Sequence, residues 1–154
     1  MQLELKYRGD PILRMISEKI DIKAESNLNE LIESLKELVN LKKGVGLAAP
    51  QVGILKRLII IKDMDTNVYY EMINPELIWT SFDKEYGLEG CLSVIDKDGN
   101  SVYDKVWRFK RIRVKWLDKD GNIHEKLFKN NLESRIIQHE IDHLDGKLFL
   151  DYIV

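Results

Sequence analysis

The chain has 154 residues, the size of one ordinary domain, and its 44% apolar content is enough for a proper core, so a single domain over 1–154 is expected. A formal net charge of -2, built from interspersed acids and bases, argues against a nucleic-acid-binding face and a polybasic membrane anchor. MQLELKYRGD at the start carries no apolar signal core, and the aliphatic run Leu58 to Ile61 is far too short for a bilayer. The lone Cys91 can form no internal disulfide, which points to a cytoplasmic protein with a thiol free for other chemistry.

Asp10-Pro11 fits a turn or the first turn of a short helix. From about Ser26 to Lys43, Leu28, Leu31, Ile32, Leu35, Leu38 and Val39 recur at helical spacing, with Ser26 or Asn27 to cap the start and Gly44 to end it. GVGLAAPQVG, Gly44 to Gly53, reads as a loop that other groups can approach closely. KRLIIIKD and VYYEMINPEL read as strands. DKDGNSVYD, Asp96 to Asp104, is polar enough to be a flexible insertion. RIRVKWLDKDGNIHEKLF predicts a hairpin, with Ile112, Val114 and Trp116 on one face and Asp118 to Asn122 in the turn. Helical periodicity returns over Asn131 to about Leu144, with Asn130 and Glu133 spaced as a capping box and Gly146 as the stop. The fold class is α+β: antiparallel sheets packed around a central metal-binding helix, with an N-terminal amphipathic helix.

On that last helix lies QHEIDHLDG. Residues i and i+4 share a helix face, so the imidazoles of His139 and His143 can converge on one ion. Glu140 projects about 100° round from His139, close to such an ion but poorly placed to bind it, which suits a general base acting on water. Leu132, Ile136, His139 and His143 form one stripe, while Ile137, Ile141 and Leu144 form its neighbour, so the helix should be central. A catalytic ion wants three protein ligands and an open position. The remaining histidine, His124, follows a polar turn where exposure is expected; Cys91, in EGCLS, is the stronger candidate.

Three stretches in order, GVGLAAPQ at 44–51, EGCLS at 89–93 and QHEIDHLDG at 138–146, resemble the peptide deformylases, and the likeness runs from GDPILR to LFLDYI. The resemblance implies removal of the formyl group from the N-terminal formyl-methionine of nascent peptides, releasing formate. It implies Cys91, His139 and His143 as ligands of one divalent metal, Fe(II) natively with Zn, Ni or Co able to replace it, and Glu140 as general base. It also implies that the Gln51 side chain and the Leu92 N–H stabilise the oxyanion, and that Val45, Gly46, Leu92, Ile136 and Ile137 receive the methionine and its backbone. After Ser93 the chain departs from the family: it reads VIDKDGNSVYDKVWRFKR, longer, without proline, and with no arginine before Arg108. A strong requirement for formyl-methionine with weaker preferences beyond it is therefore expected. With only Ile153 and Val154 after Tyr152 there is no C-terminal helical extension, so any contact with the ribosome is expected to be transient. A zinc peptidase with a carboxylate as third ligand, or a binding protein without catalysis, is the competing reading; neither has a reason to carry GVGLAAPQ and EGCLS beside Glu140 and Gln51.

Overall fold

The computed structural model describes residues 1–153; Val154, the last residue of the expected domain, lies outside the described residues. The LIII run decides the architecture. Strand β2 (Leu58–Lys62) sends Leu58 and Ile60 into one apolar cluster and Ile59 and Ile61 into another, so both faces of its sheet are buried. A strand covered on both sides has no use for polar alternation, which is why these residues form an unbroken aliphatic run. Helix α1 (Leu28–Leu41) covers the first face with Leu28, Leu31, Ile32, Leu35 and Val39. Helix α2 (Asn131–Leu144) covers the second with Ile136, Ile137, Ile141 and Leu144. Each fully buried aliphatic side chain contributes about 1.5–3 kcal/mol.

The sheet itself is antiparallel throughout, in the order β1 (Gly46–Ala48), β2, β3 (Tyr69–Thr80), β6 (Ile112–Leu117), β7 (Ile123–Phe128). Between β3 and β6 the chain makes a separate two-stranded sheet, β4 (Lys84–Ile95) with β5 (Ser101–Phe109). The expected hairpin is β6–β7, with Ile112, Val114 and Trp116 buried. His124 is exposed there, hydrogen-bonded to Asp118 at 2.7 Å and stacked on Trp116.

Two readings need correction. GVGLAAPQVG is not a loop: Gly46 to Ala48 pair with Ile61 to Ile59 as an edge strand, and Ala49 to Val52 form a 3-10 turn. A strand of three residues, all buried, leaves no periodicity to detect. DKDGNSVYD is not a loose insertion either, since Ser101 to Asp104 belong to β5 and only Asp96 to Asn100 turn. There the Asp96 carboxylate accepts from the N–H groups of Asp98 and Asn100, and Gly99 takes a φ of 81°. The same pentapeptide, DKDGN, closes β6–β7 with the same bonds from Asp120 and Asn122 to Asp118. One repeated turn sequence thus shapes both hairpins.

Asn130 caps α2, its side-chain oxygen accepting from Leu132 and Glu133 N–H at 2.9 and 3.3 Å. At the end of α1 the left-handed residue is Lys43, not Gly44: Lys43 has a φ of 55° and Gly44 N–H closes on Val39 O at 2.9 Å.

Candidate metal centre and active site

Helix α2 sets His139 and His143 one turn apart, their ring centroids 5.0 Å from each other, and β4 brings Cys91 against them from the other sheet. One potential ligand atom from each of the three lies within 4.8 Å of the others, and all three side chains are buried. Cys91 Sγ is 3.4 Å from His143 Nε2. His139 engages Glu89 Oε1 through Nδ1 at 2.8 Å, which leaves its Nε2 lone pair to point inward. A thiolate and two imidazoles converging in a buried pocket are a donor set suited to one divalent transition ion.

Glu89 was not singled out by the sequence, yet it organises the site. Its buried carboxylate accepts from Arg108 at 2.8 and 3.0 Å, from Arg135 at 2.8 Å and from His139. Arg108 reaches on to Asp142 at 2.6 Å, so this arginine is consumed by the framework and does not face the substrate cavity. Burial works to raise the Glu89 carboxyl, but the hydrogen bonds with His139 and Arg108 outweigh it and bring it to about 2. Burial likewise works to lower His139, and its contacts with Cys91 and Glu89 outweigh that, so the imidazole is raised. His143, buried and facing the positive charge of its neighbours His139 and Arg108, is lowered and stays neutral.

Glu140 Oε1 is buried without a hydrogen-bond partner, 4.0 Å from His143 Nε2. An orphaned carboxylate oxygen beside converging ligand atoms fits a site built for an ion and a water molecule. Burial raises its carboxyl to about 7, the range useful to a general base near neutrality. The other oxygen lies against Gly46, where an added Cβ would be only 2.8 Å from Oε2. Gln51 is held at both ends: its Oε1 accepts from Ala48 N–H at 3.0 Å, and its Nε2 donates to Ser93 Oγ at 3.0 Å and lies 3.5 Å from Cys91 Sγ. Cys91 to Val94, including Leu92, fall in the break of register between Gly90 and Ile95.

Two cavities meet at Glu140. The larger, about 320 Å³, has Gln51, Cys91, His139 and Glu140 at its base and takes in Val45, Gly46 and Leu92. The smaller, about 150 Å³, is walled by Val45, Leu88, Leu132 and Ile136, with Glu89 and Arg135 behind them. Ile137 lines neither: it is fully buried in the apolar cluster that also holds Met72, Phe128 and Trp116. Leu88 and Leu132 were missed, being ordinary apolar residues in sequence and meeting only because β4 crosses α2.

The family model for polypeptide deformylase matches residues 3–154. The chain belongs to the peptide deformylases. It is 40% identical over 157 residues to the peptide deformylase of Brachyspira hyodysenteriae, covering 98% of this chain and 80% of that protein. The Met-Ala-Ser-bound class I type b peptide deformylase of Acinetobacter baumannii superposes with a TM-score of 0.88 at 33% identity, over 99% of each chain. A probable peptide deformylase from Synechococcus phage S-SSM7 gives 0.87 at 39% identity, over 99% of this chain and 100% of that one. Like the family, this hydrolase removes the formyl group from nascent polypeptides. Its α+β architecture is the deformylase one, and the buried Cys91, His139 and His143 can hold one metal ion. No described helix is long and apolar enough to cross a membrane.

Proposed function

We propose that Cys91, His139 and His143 hold one divalent ion, natively Fe(II), and that Glu140 is the general base in hydrolysis of formyl-methionyl peptides. The orphaned, buried Oε1 of Glu140 beside the ligand atoms is the observation that carries this reading. When bound, the ion supplies Lewis acidity to the water and to the formyl oxygen. Glu140 takes a proton from water as the water oxygen attacks the formyl carbon, and the carbonyl electron pair moves onto its oxygen. That oxyanion accepts from Leu92 N–H and from the Gln51 N–H that otherwise points to Cys91 Sγ, the other N–H staying on Ser93 Oγ. Ser93 and Ala48 hold the Gln51 amide in one orientation, so little reorganisation accompanies the charge. As the C–N bond breaks, Glu140 returns the proton to the departing amine nitrogen, leaving formate and a free amino terminus.

In this reading the methionine side chain enters the smaller cavity, against Val45 and Ile136, while Gly46 and Leu92, which line the larger cavity, meet the substrate backbone. We place the enzyme in the cytoplasm, as one domain over 1–154, acting on nascent peptides with at most transient contact with the ribosome and no direct nucleic-acid or membrane binding. A peptidase with a carboxylate as third ligand is disfavoured, because Glu89 is turned to Arg108, Arg135 and His139 Nδ1. The test is anaerobic formate release from formyl-Met-Ala-Ser, with the metal content of the same sample measured. Release that requires one equivalent of metal is expected; a metal-loaded protein that frees no formate overturns the assignment.

A further inference from the structure

At the mouth of the larger cavity two lysines, Lys42 and Lys43, stand on one side, and Ser101 and Tyr103 of the β4–β5 hairpin stand opposite. The Tyr103 ring lies against Gly90, a position open only because Gly90 has no side chain for the ring to meet. The one acidic residue lining this cavity, Glu140, is buried at its base, so the mouth is cationic. Among the described residues neither lysine ammonium has a carboxylate within the 4.0 Å of an ion pair.

Lys43 is also in a conformation that a lysine does not choose. It holds the left-handed position that ends α1, φ 55°, with its N–H on Asn40 O and Gly44 N–H on Val39 O. Glycine is the residue that takes this position without steric cost. Here a long cation occupies it, at a residue that lines the larger cavity.

Resting on the deformylase reading above, the path of the peptide follows. With its formyl group at Glu140 and its first side chain beside Ile136, the chain runs outward along the larger cavity, whose lining continues through Gly44 to Lys43 and Lys42. At roughly 3.3 Å per extended residue, its third residue reaches the gap between the lysines and Tyr103. We propose that Lys42 and Lys43, with Tyr103 as the facing wall, select peptides that carry a carboxylate side chain at the third residue.

The test compares kcat/KM for formyl-Met-Ala-Glu-Ser-amide, its Gln counterpart and its Lys counterpart; the amide end removes the terminal carboxylate as a source of the effect. The Glu peptide should exceed the Gln peptide on the order of 3- to 10-fold and the Lys peptide by more, the range two partly exposed ion pairs supply. The preference should shrink in about 0.5 M salt. In the variant Lys42→Gln/Lys43→Asn, where asparagine tolerates the left-handed backbone, the Glu-to-Gln ratio should approach one. Equal rates for Glu and Gln peptides in the wild-type enzyme, a ratio the double variant leaves intact, or one insensitive to salt overturns the proposal. Failure to hydrolyse any of the three peptides instead overturns the deformylase reading on which it rests.

Discussion

Gly46→Ala is a one-methyl perturbation that should act on the catalytic base. The added Cβ would lie 2.8 Å from Glu140 Oε2, 3.2 Å from Glu140 Cγ and 3.1 Å from Ile136 Cγ2. Ordinary contacts begin near 3.4 Å, so the shortest must open by 3.4 − 2.8, roughly 0.6 Å. Gly46 cannot retreat easily, because β1 is paired to β2 opposite Ile61. The carboxylate therefore moves, and a misplacement of about 1 Å costs on the order of 100-fold in rate. We expect kcat to fall about 10- to 100-fold with metal content unchanged, together with an overpacking cost of about 1–3 kcal/mol in stability. Steady-state kinetics on a formyl-methionyl peptide, with metal analysis of the same preparation, measure both. Wild-type kcat in the alanine variant would refute the reasoning, and a loss confined to KM would show that Gly46 serves the substrate backbone and not the base.

Glu140→Gln should keep its metal and lose turnover by orders of magnitude, whereas Cys91→Ala and His143→Ala should lose the metal as well; kinetics and metal analysis separate the two outcomes. The metal-free protein should lose stability as pH rises from about 4.5 through about 7, because folding raises the Glu140 carboxyl and the folded state then holds more protons than the unfolded one. Glu140→Gln should flatten that slope in chemical denaturation, and an unchanged slope would remove Glu140 as its cause. Glu89 has the opposite sign: its folded carboxyl is at about 2 against 4.5 unfolded, so its contribution is complete above 4.5 and vanishes as pH falls toward 2. Glu89→Gln should cost about 3–5 kcal/mol near neutrality by stranding Arg108 and Arg135, and should weaken metal binding about 10- to 100-fold. Formyl-methionyl peptides should exceed formyl-alanyl ones about 10- to 200-fold in kcat/KM, and comparable rates would show that the smaller cavity is not the methionine pocket.

What was legible in the sequence was whatever repeats locally. The stripe Leu28, Leu31, Ile32, Leu35, Val39 and the spacing of His139 and His143 each report a helix face, and both helices lie within two residues of the expected bounds. The alternation Ile112, Val114, Trp116 likewise gave the β6–β7 hairpin. The edge strand Gly46–Ala48 was not legible, because its existence depends on β2 lying alongside and on the absence of side chains that would crowd Glu140. The β4–β5 tip was misread for a different reason: polar residues look the same in a loose insertion and in a turn whose aspartate satisfies its own backbone. Only the recurrence of DKDGN in the neighbouring hairpin carried the distinction.

The harder omission, Glu89 with Arg108 and Arg135, shows where local reading stops. Nineteen positions separate Glu89 from Arg108 and 46 separate it from Arg135, so their spacing carries no periodicity. Their burial nevertheless follows from the proposed metal site. An imidazole that is to offer Nε2 to an ion must give its Nδ1–H to an acceptor, and the strongest acceptor is a carboxylate. Placing that carboxylate where water cannot reach it requires opposite charge around it, which two guanidinium groups supply through three hydrogen bonds of 2.8 to 3.0 Å. Arg135 lies one helical turn before His139 on α2, so the same helix that presents the imidazole also presents one of the cations that holds its partner. Gly87 completes the arrangement, since a side chain there would meet the Arg135 guanidinium at 2.8 to 3.0 Å. The imidazole, its carboxylate and the counter-charge therefore constrain one another through β4, β5 and α2, and Arg108 is spent on holding the carboxylate that receives His139 Nδ1.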